Sequence, residues 1–106
     1  MFEEVIKRIK KFVEERKWND YHSLDNLAKS ISIEASELLE IFQWGNEDVD
    51  IEHVEEELAD VMIYCIELAN KLDKNIIDLI NKKIDKNEIK YPVAKAKGNS
   101  KKYNEF

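Results

Sequence analysis

Glu34 and Glu37 stand three residues apart in "IEASELLE", and Glu57 and Asp60 repeat the interval in "EELADVMIY". Residues three apart on a helix project from neighbouring positions. One member of each pair also interrupts a line of apolar residues. Glu34 falls between Ile31 and Leu38 on the stripe Leu27, Ile31, Leu38, Ile41, and Glu57 shares a line with Val54, Val61, Tyr64 and Leu68. Two helices packed by those stripes would gather four carboxylates where water is scarce. Each unpaired anion there costs roughly several kcal/mol to desolvate, and the four repel one another. A hard divalent cation answers this demand, because it prefers oxygen ligands. Mg²⁺ in particular keeps several waters and shares itself between a few carboxylates and substrate phosphates. Glu52, Glu55 and Glu56 read instead as a solvated face. Carboxylates at this spacing are common on charge-rich helices; their place inside the apolar stripe is what points to a metal.

A di-iron carboxylate bundle is the obvious competitor, and it needs Glu-x-x-His motifs from two helices. The residue three before His22 is Asn19, and the residue three before His53 is Asp50. Neither makes the motif.

The elements that must carry these groups are helices. The chain has 106 residues with two glycines, one proline and 38% charged side chains, which leaves little room for turn-rich β structure. Val5, Ile6, Ile9, Phe12 and Val13 recur at helical spacing and predict a first helix from Phe2 to Arg16. Ser23 or Asp25 can cap a second, which carries Leu27 through Gln43 or Trp44 and stops near Gly45 and Asn46. A third runs from Ile51 to Leu72 after the acidic Glu47, Asp48 and Asp50, and a fourth from Ile76 towards Ile89. Pro92 ends the fourth by disfavouring helical geometry at Tyr91. The expected architecture is all-α, an antiparallel four-helix bundle forming one domain over residues 1–106. Its basic tail, 93–106, is expected to be extended.

Composition narrows the partners. A formal net charge of −6 argues against binding a nucleic-acid polymer, whose phosphates are held by clustered Lys and Arg. No apolar run approaches membrane length, and "MFEEVIKRIKKF" is too charged for a secretory signal, so the expected location is cytoplasmic. Cys65 is the one cysteine and reads as a buried core thiol. A chain this short buries a modest share of its surface, which favours pairing with further copies as a homodimer or homotetramer.

Trp18, His22 and Trp44 stand at helix edges. They can form a stacking platform for a nucleobase, or the tryptophans can plug the ends of the bundle. Lys83, Asn87, Lys90 and Tyr91 lie in "KKIDKNEIKYPV", where lysines can meet phosphates or serve the negative end of the helix dipole.

Taken together, "ERKWNDYHSLDNLAKSISIEASELLEIFQW", "EELADVMIYCIELA" and "NKKIDKNEIKYPVAKAKGNSKKYNEF" resemble the MazG-like all-α nucleoside triphosphate pyrophosphohydrolases. The likeness covers nearly all of the chain and leans to the small single-domain branch that includes the dCTP pyrophosphatases. It implies that Glu34, Glu37, Glu57 and Asp60 hold Mg²⁺, with Mn²⁺ an alternative, against the phosphates of a nucleoside triphosphate. It further implies that Trp18, His22 and Trp44 shape a base pocket, and that Tyr64, Lys83, Asn87 and Tyr91 face the nucleotide. A carboxylate beside the metal, Glu37 or Glu40, would orient the attacking water and take its proton. The implied products are a nucleoside monophosphate and pyrophosphate, made in sites completed between subunits. Many such sequences carry two adjacent glutamates at the start of the motif; here the first is Ile33, as in the dCTP-type branch. The alternative expectation is a helical module that binds a nucleotide or a protein without turnover.

Overall fold

The computed structural model describes residues 1–98. Those residues form five helices and no strand: α1 (Phe2–Glu15), α2 (Leu24–Ile41), α3 (Ile51–Lys71), α4 (Ile76–Lys90) and the single turn α5 (Val93–Ala96). The all-α expectation holds. The chain divides into two compact units, the first ending at Lys74 and the second beginning at Asn75.

Within the first unit α2 packs along α3, and α1 packs against α3. His22, just before α2, touches Glu67 near the end of α3, whereas Glu34, further along α2, meets Glu57 near the start of α3. The two helices therefore run antiparallel. Helix α1 runs parallel to α3, since Val5 and Arg8 line a cavity with Asp60, and Val13 and Glu14 line one with Asn70 and Lys71. The buried apolar side chains are Ile6, Ile9 and Val13 of α1, Leu27 of α2, and Ile66 and Ala69 of α3. Cys65 is only half-buried, because it lies off the line of Ile66 and Ala69 that faces this core.

Side-chain caps start the helices where short polar residues precede apolar runs. Ser23 accepts from the Asn26 N–H, Asp50 from that of Glu52, and Asn75 from those of Ile77 and Asp78. Ser23 is thus the cap of α2, and the helix begins at Leu24, three residues earlier than the apolar pattern alone suggested. It also ends at Ile41, short of Gln43, where a turn closes on Gly45 at φ +108°, a conformation that favours glycine.

Helices α1 and α3 share one kind of ending. The Lys17 N–H donates to Glu14 O and the Trp18 N–H to Val13 O; the Asp73 and Lys74 N–H groups repeat this with Asn70 O and Ala69 O. Lys17 and Asp73 take the left-handed conformation at the reversal, at φ +55° and +57°. These are Schellman motifs, and the first of them fixes where Trp18 enters the structure.

In the second unit, α4 carries no buried residue. The tail departs from the extended form expected of it: the N–H groups of Lys95 and Ala96 both donate to Pro92 O at 2.9 Å and wind Val93–Ala96 into a helical turn. Proline suits this position because it needs no N–H of its own there. Residues 99–106, the rest of the expected tail, lie outside the described residues.

Candidate active site

Packing α2 on α3 by their apolar stripes brings oxygen atoms of Glu34, Glu37 and Glu57 within 4.8 Å of one another. Glu34 and Glu57 are half-buried on the seam, while Glu37 is exposed at its edge. One carboxylate oxygen of each seam residue, Oε2 of Glu34 and Oε2 of Glu57, is buried without a hydrogen-bond partner among the described residues. The other oxygen of Glu57 lies 3.4 Å from Nε2 of His53, one turn back on α3. Asp60 is exposed and stands outside the group of three, yet its charge reaches Glu34. Burial, a hydrogen bond and repulsion from Glu37, and the charges of Asp60 and Glu57 push the Glu34 carboxyl up to about 7.

This is the signature of an arrangement that its own side chains do not neutralise. Buried polar atoms in folded proteins almost always find partners, and two orphaned carboxylate oxygens side by side are a specific demand for positive charge. The donor set is all carboxylate and partly open to water, which fits a hard cation such as Mg²⁺. Glu40, the second candidate for the water-orienting base, is exposed near the end of α2 and is not in the gathered group.

Beside the carboxylates lies a cavity of about 430 Å³ lined by Phe12, Trp18, His22, Asp60, Ile63 and Tyr64, among others. Asp60 joins the cavity to the acidic seam. Trp18 meets Phe12 edge-on at 5.7 Å, His22 lies 5.7 Å from Trp18, and Tyr64 lies 6.3 Å from His22. Trp18 remains 40% exposed, so its ring is open to a ligand. Desolvation, then the charges of Glu67, Glu34, Asp60 and Glu37, raise the Tyr64 phenol, which keeps its O–H as a donor. The turn that delivers His22 is tight: the N–H groups of Tyr21 and His22 both donate to Trp18 O.

Four further expected site residues lie past the end of α2 or on and beside α4. Trp44 is 91% exposed past the end of α2; in this chain it neither joins the aromatic group nor plugs a bundle end. Lys83 and Asn87 stand four residues apart on α4, and Tyr91 caps that helix, its N–H donating to Asn87 O at 2.8 Å. These last belong to the second unit.

Two residues of the aromatic cavity were not among the expected site residues. Phe12, part of the apolar spacing of α1, is 46% exposed and braces Trp18. Glu67 is buried and accepts from, or shares a proton with, His22 Nδ1 at 2.9 Å. The spacing could have found it: Glu57, Asp60, Tyr64 and Glu67 follow one another at intervals of three, four and three, which is a single helix face.

Comparison with known proteins agrees with this geometry. A model of the MazG-like family matches residues 29–106. The human dCTP pyrophosphatase 1 is 33% identical and the mouse protein 31%, over 90% of this chain in both cases. The chain spans about 61% of the length of these curated relatives. A crystal structure of a pyrophosphatase from Archaeoglobus fulgidus superposes with a TM-score of 0.79 at 42% identity, covering 86% of this chain and 92% of that one. With helices, carboxylate seam and family match in agreement, the chain belongs to the MazG-like family.

Proposed function

We propose that the protein hydrolyses a nucleoside triphosphate, dCTP or a modified deoxynucleotide by preference, to the monophosphate and pyrophosphate in the presence of Mg²⁺. The main support is the seam itself, where buried oxygens of Glu34 and Glu57 lack partners next to an aromatic cavity of nucleobase size. The names of the relatives, dCTP pyrophosphatase 1 and a pyrophosphatase, point the same way.

Glu34, Glu37, Glu57 and Asp60 would hold the metal. Bound there, Mg²⁺ supplies Lewis acidity and charge neutralisation to the triphosphate. Glu37, exposed at the edge of the seam, is placed to orient a water and accept its proton; Glu40, a turn further on, is the other candidate. The water oxygen bonds to the α-phosphorus, the bond from that phosphorus to the bridging oxygen breaks, and pyrophosphate leaves. Trp18 and Tyr64, which line the cavity together with Asp60, would bound the space for the base. Lys83, Asn87 and Tyr91, in the second unit, are further proposed substrate-binding residues.

A second copy fits this reading. Ile33, Leu39, Ile51 and Leu58 are each more than half exposed on α2 and α3, and Trp44 is almost wholly so. Apolar surface on that scale supports an interface with further copies. A homodimer or homotetramer would cover it and bring Trp44 to a neighbouring site. A cytoplasmic location is part of this proposal, and no described helix is long and apolar enough to cross a membrane.

Pyrophosphate release from a panel of standard and modified triphosphates, with and without Mg²⁺, tests the proposal. Metal-dependent release that favours one base is the expected outcome. Binding without release from any of them would leave a nucleotide-binding module instead.

A further inference from the structure

Glu67 is the one charged side chain buried among the described residues, at 8% exposure beside Ile66 and Ala69 in the core. Taking a carboxylate out of water costs roughly several kcal/mol, and a leucine or alanine here would pack without that penalty. The acidic seam does not account for Glu67, which lies outside the gathered carboxylates. Its one hydrogen-bond partner among the described residues is Nδ1 of His22, at 2.9 Å.

That partner is the informative part. Both residues line the aromatic cavity and also a second cavity of about 470 Å³ bordered by Lys10, Asn19 and Lys71, so the pair forms a wall between the two. An ionised Glu67 can only accept, and in that state the proton between them sits on the imidazole Nδ1. Nε2 is then the ring nitrogen left for a ligand, and the ring lies 5.7 Å from Trp18 and 6.3 Å from Tyr64. A planar base stacked on Trp18 would bring its polar edge to His22.

We propose that Glu67 is a positioning residue for nucleobase recognition, holding Nδ1–H of His22 and presenting Nε2 of that ring to the aromatic cavity. The inference rests on the nucleotide reading above. It assigns the base-reading polarity of His22 to a carboxylate that acts through the imidazole. Glutamine at this position tests the idea, because its amide offers both an acceptor and a donor. His22 could then take either tautomer, and the polarity of Nε2 would no longer be set.

The experiment compares the parent chain with Glu67→Gln on a panel of triphosphates, reading KM and kcat separately. The expected result is a KM for the favoured nucleotide raised roughly tenfold and discrimination between bases reduced by a similar factor, with kcat within about twofold. In ¹⁵N spectra the parent His22 should show a protonated Nδ1, and the variant a mixture of tautomers. A variant that matches an active parent in KM and base preference overturns this inference alone; a parent that releases no pyrophosphate from any triphosphate overturns the functional proposal with it. Should Glu67→Gln not fold, the parent still decides the matter. A non-hydrolysable triphosphate must shift the His22 Nε2 resonance while Nδ1 stays protonated, and an unmoved Nε2 resonance rejects the role.

Discussion

Glu34 and Glu67 both draw a carboxylate out of water, and the molecule compensates them in opposite ways. Glu34 on α2 is surrounded by more negative charge, and its buried Oε2 has no partner. Glu67 on α3 is more deeply buried but answers to a histidine that the chain itself supplies. Burial raises both carboxyl groups; at Glu67 His22 opposes the rise, whereas at Glu34 every neighbour adds to it. The difference separates a site that waits for something from outside from a pair that is complete within the fold. An acidic cluster left uncompensated is a liability to folding, and it makes sense only if a cation joins it.

The sharpest way to break this contrast is to remove a seam ligand. Glu57→Gln should lower Mg²⁺-dependent pyrophosphate release by at least about a hundredfold while leaving the helical circular dichroism unchanged. Full activity in that variant would dismiss the seam as the metal site. The Glu67 side should also register in stability, because its partner lies within the fold. His22→Ala leaves the buried carboxylate alone and should cost roughly 2–3 kcal/mol in urea unfolding at neutral pH, whereas replacing His22 and Glu67 together by apolar residues should cost much less.

Mg²⁺ should distinguish the two carboxylates as well. At about a hundredfold excess over its Kd, an ion that binds only the folded state stabilises by about 2.7 kcal/mol, on the order of 10 °C in a domain this size. Thermal scans should show that rise in the parent and in Glu67→Gln, and lose it in Glu34→Ala.

The pH dependence has a definite sign. The folded Glu34 carboxyl titrates near 7, above its ordinary value of 4.5, so the folded chain holds the proton more tightly than the unfolded one. Stability from this group is complete below about 4.5 and is lost as pH rises through about 7. Melting temperatures of the metal-free protein should therefore fall across that window. Glu34→Gln should flatten the slope, and saturating Mg²⁺ should offset it at the upper end, where the ionised form binds the ion. The smallest effect belongs to Trp44. Replacing that side chain by alanine should change the unfolding free energy of a single chain by no more than about 0.5 kcal/mol, since it touches little within it.

Much of this was legible in the residues alone. Apolar spacing and caps located α1 to α4 to within a few residues, and the interruption of two stripes by Glu34 and Glu57 marked the seam before any coordinates. Such features are local: a carboxylate at a stripe position is visible wherever the helix period is visible. Helix boundaries set by a single side-chain cap, as at Ser23, were harder to read because two candidate caps stood two residues apart. The turn of helix at Val93–Ala96 was missed for a similar reason, since proline both ends one helix and can begin the next.

The sequence by itself determined an all-helical chain, the two stripes and the carboxylate pairs whose members Glu34 and Glu57 interrupt them, because helix periodicity is a property of neighbours along the chain. Only the tertiary structure decided which of those carboxylates gather, and that Glu37 and Asp60 remain at the wet edge while Glu34 and Glu57 enter the seam. It alone joined His22 to Glu67 across 45 positions and carried Trp18 onto Phe12 through a left-handed turn at Lys17. Contacts between distant segments depend on how helices cross and where turns reverse, and no local pattern encodes the sum of those angles.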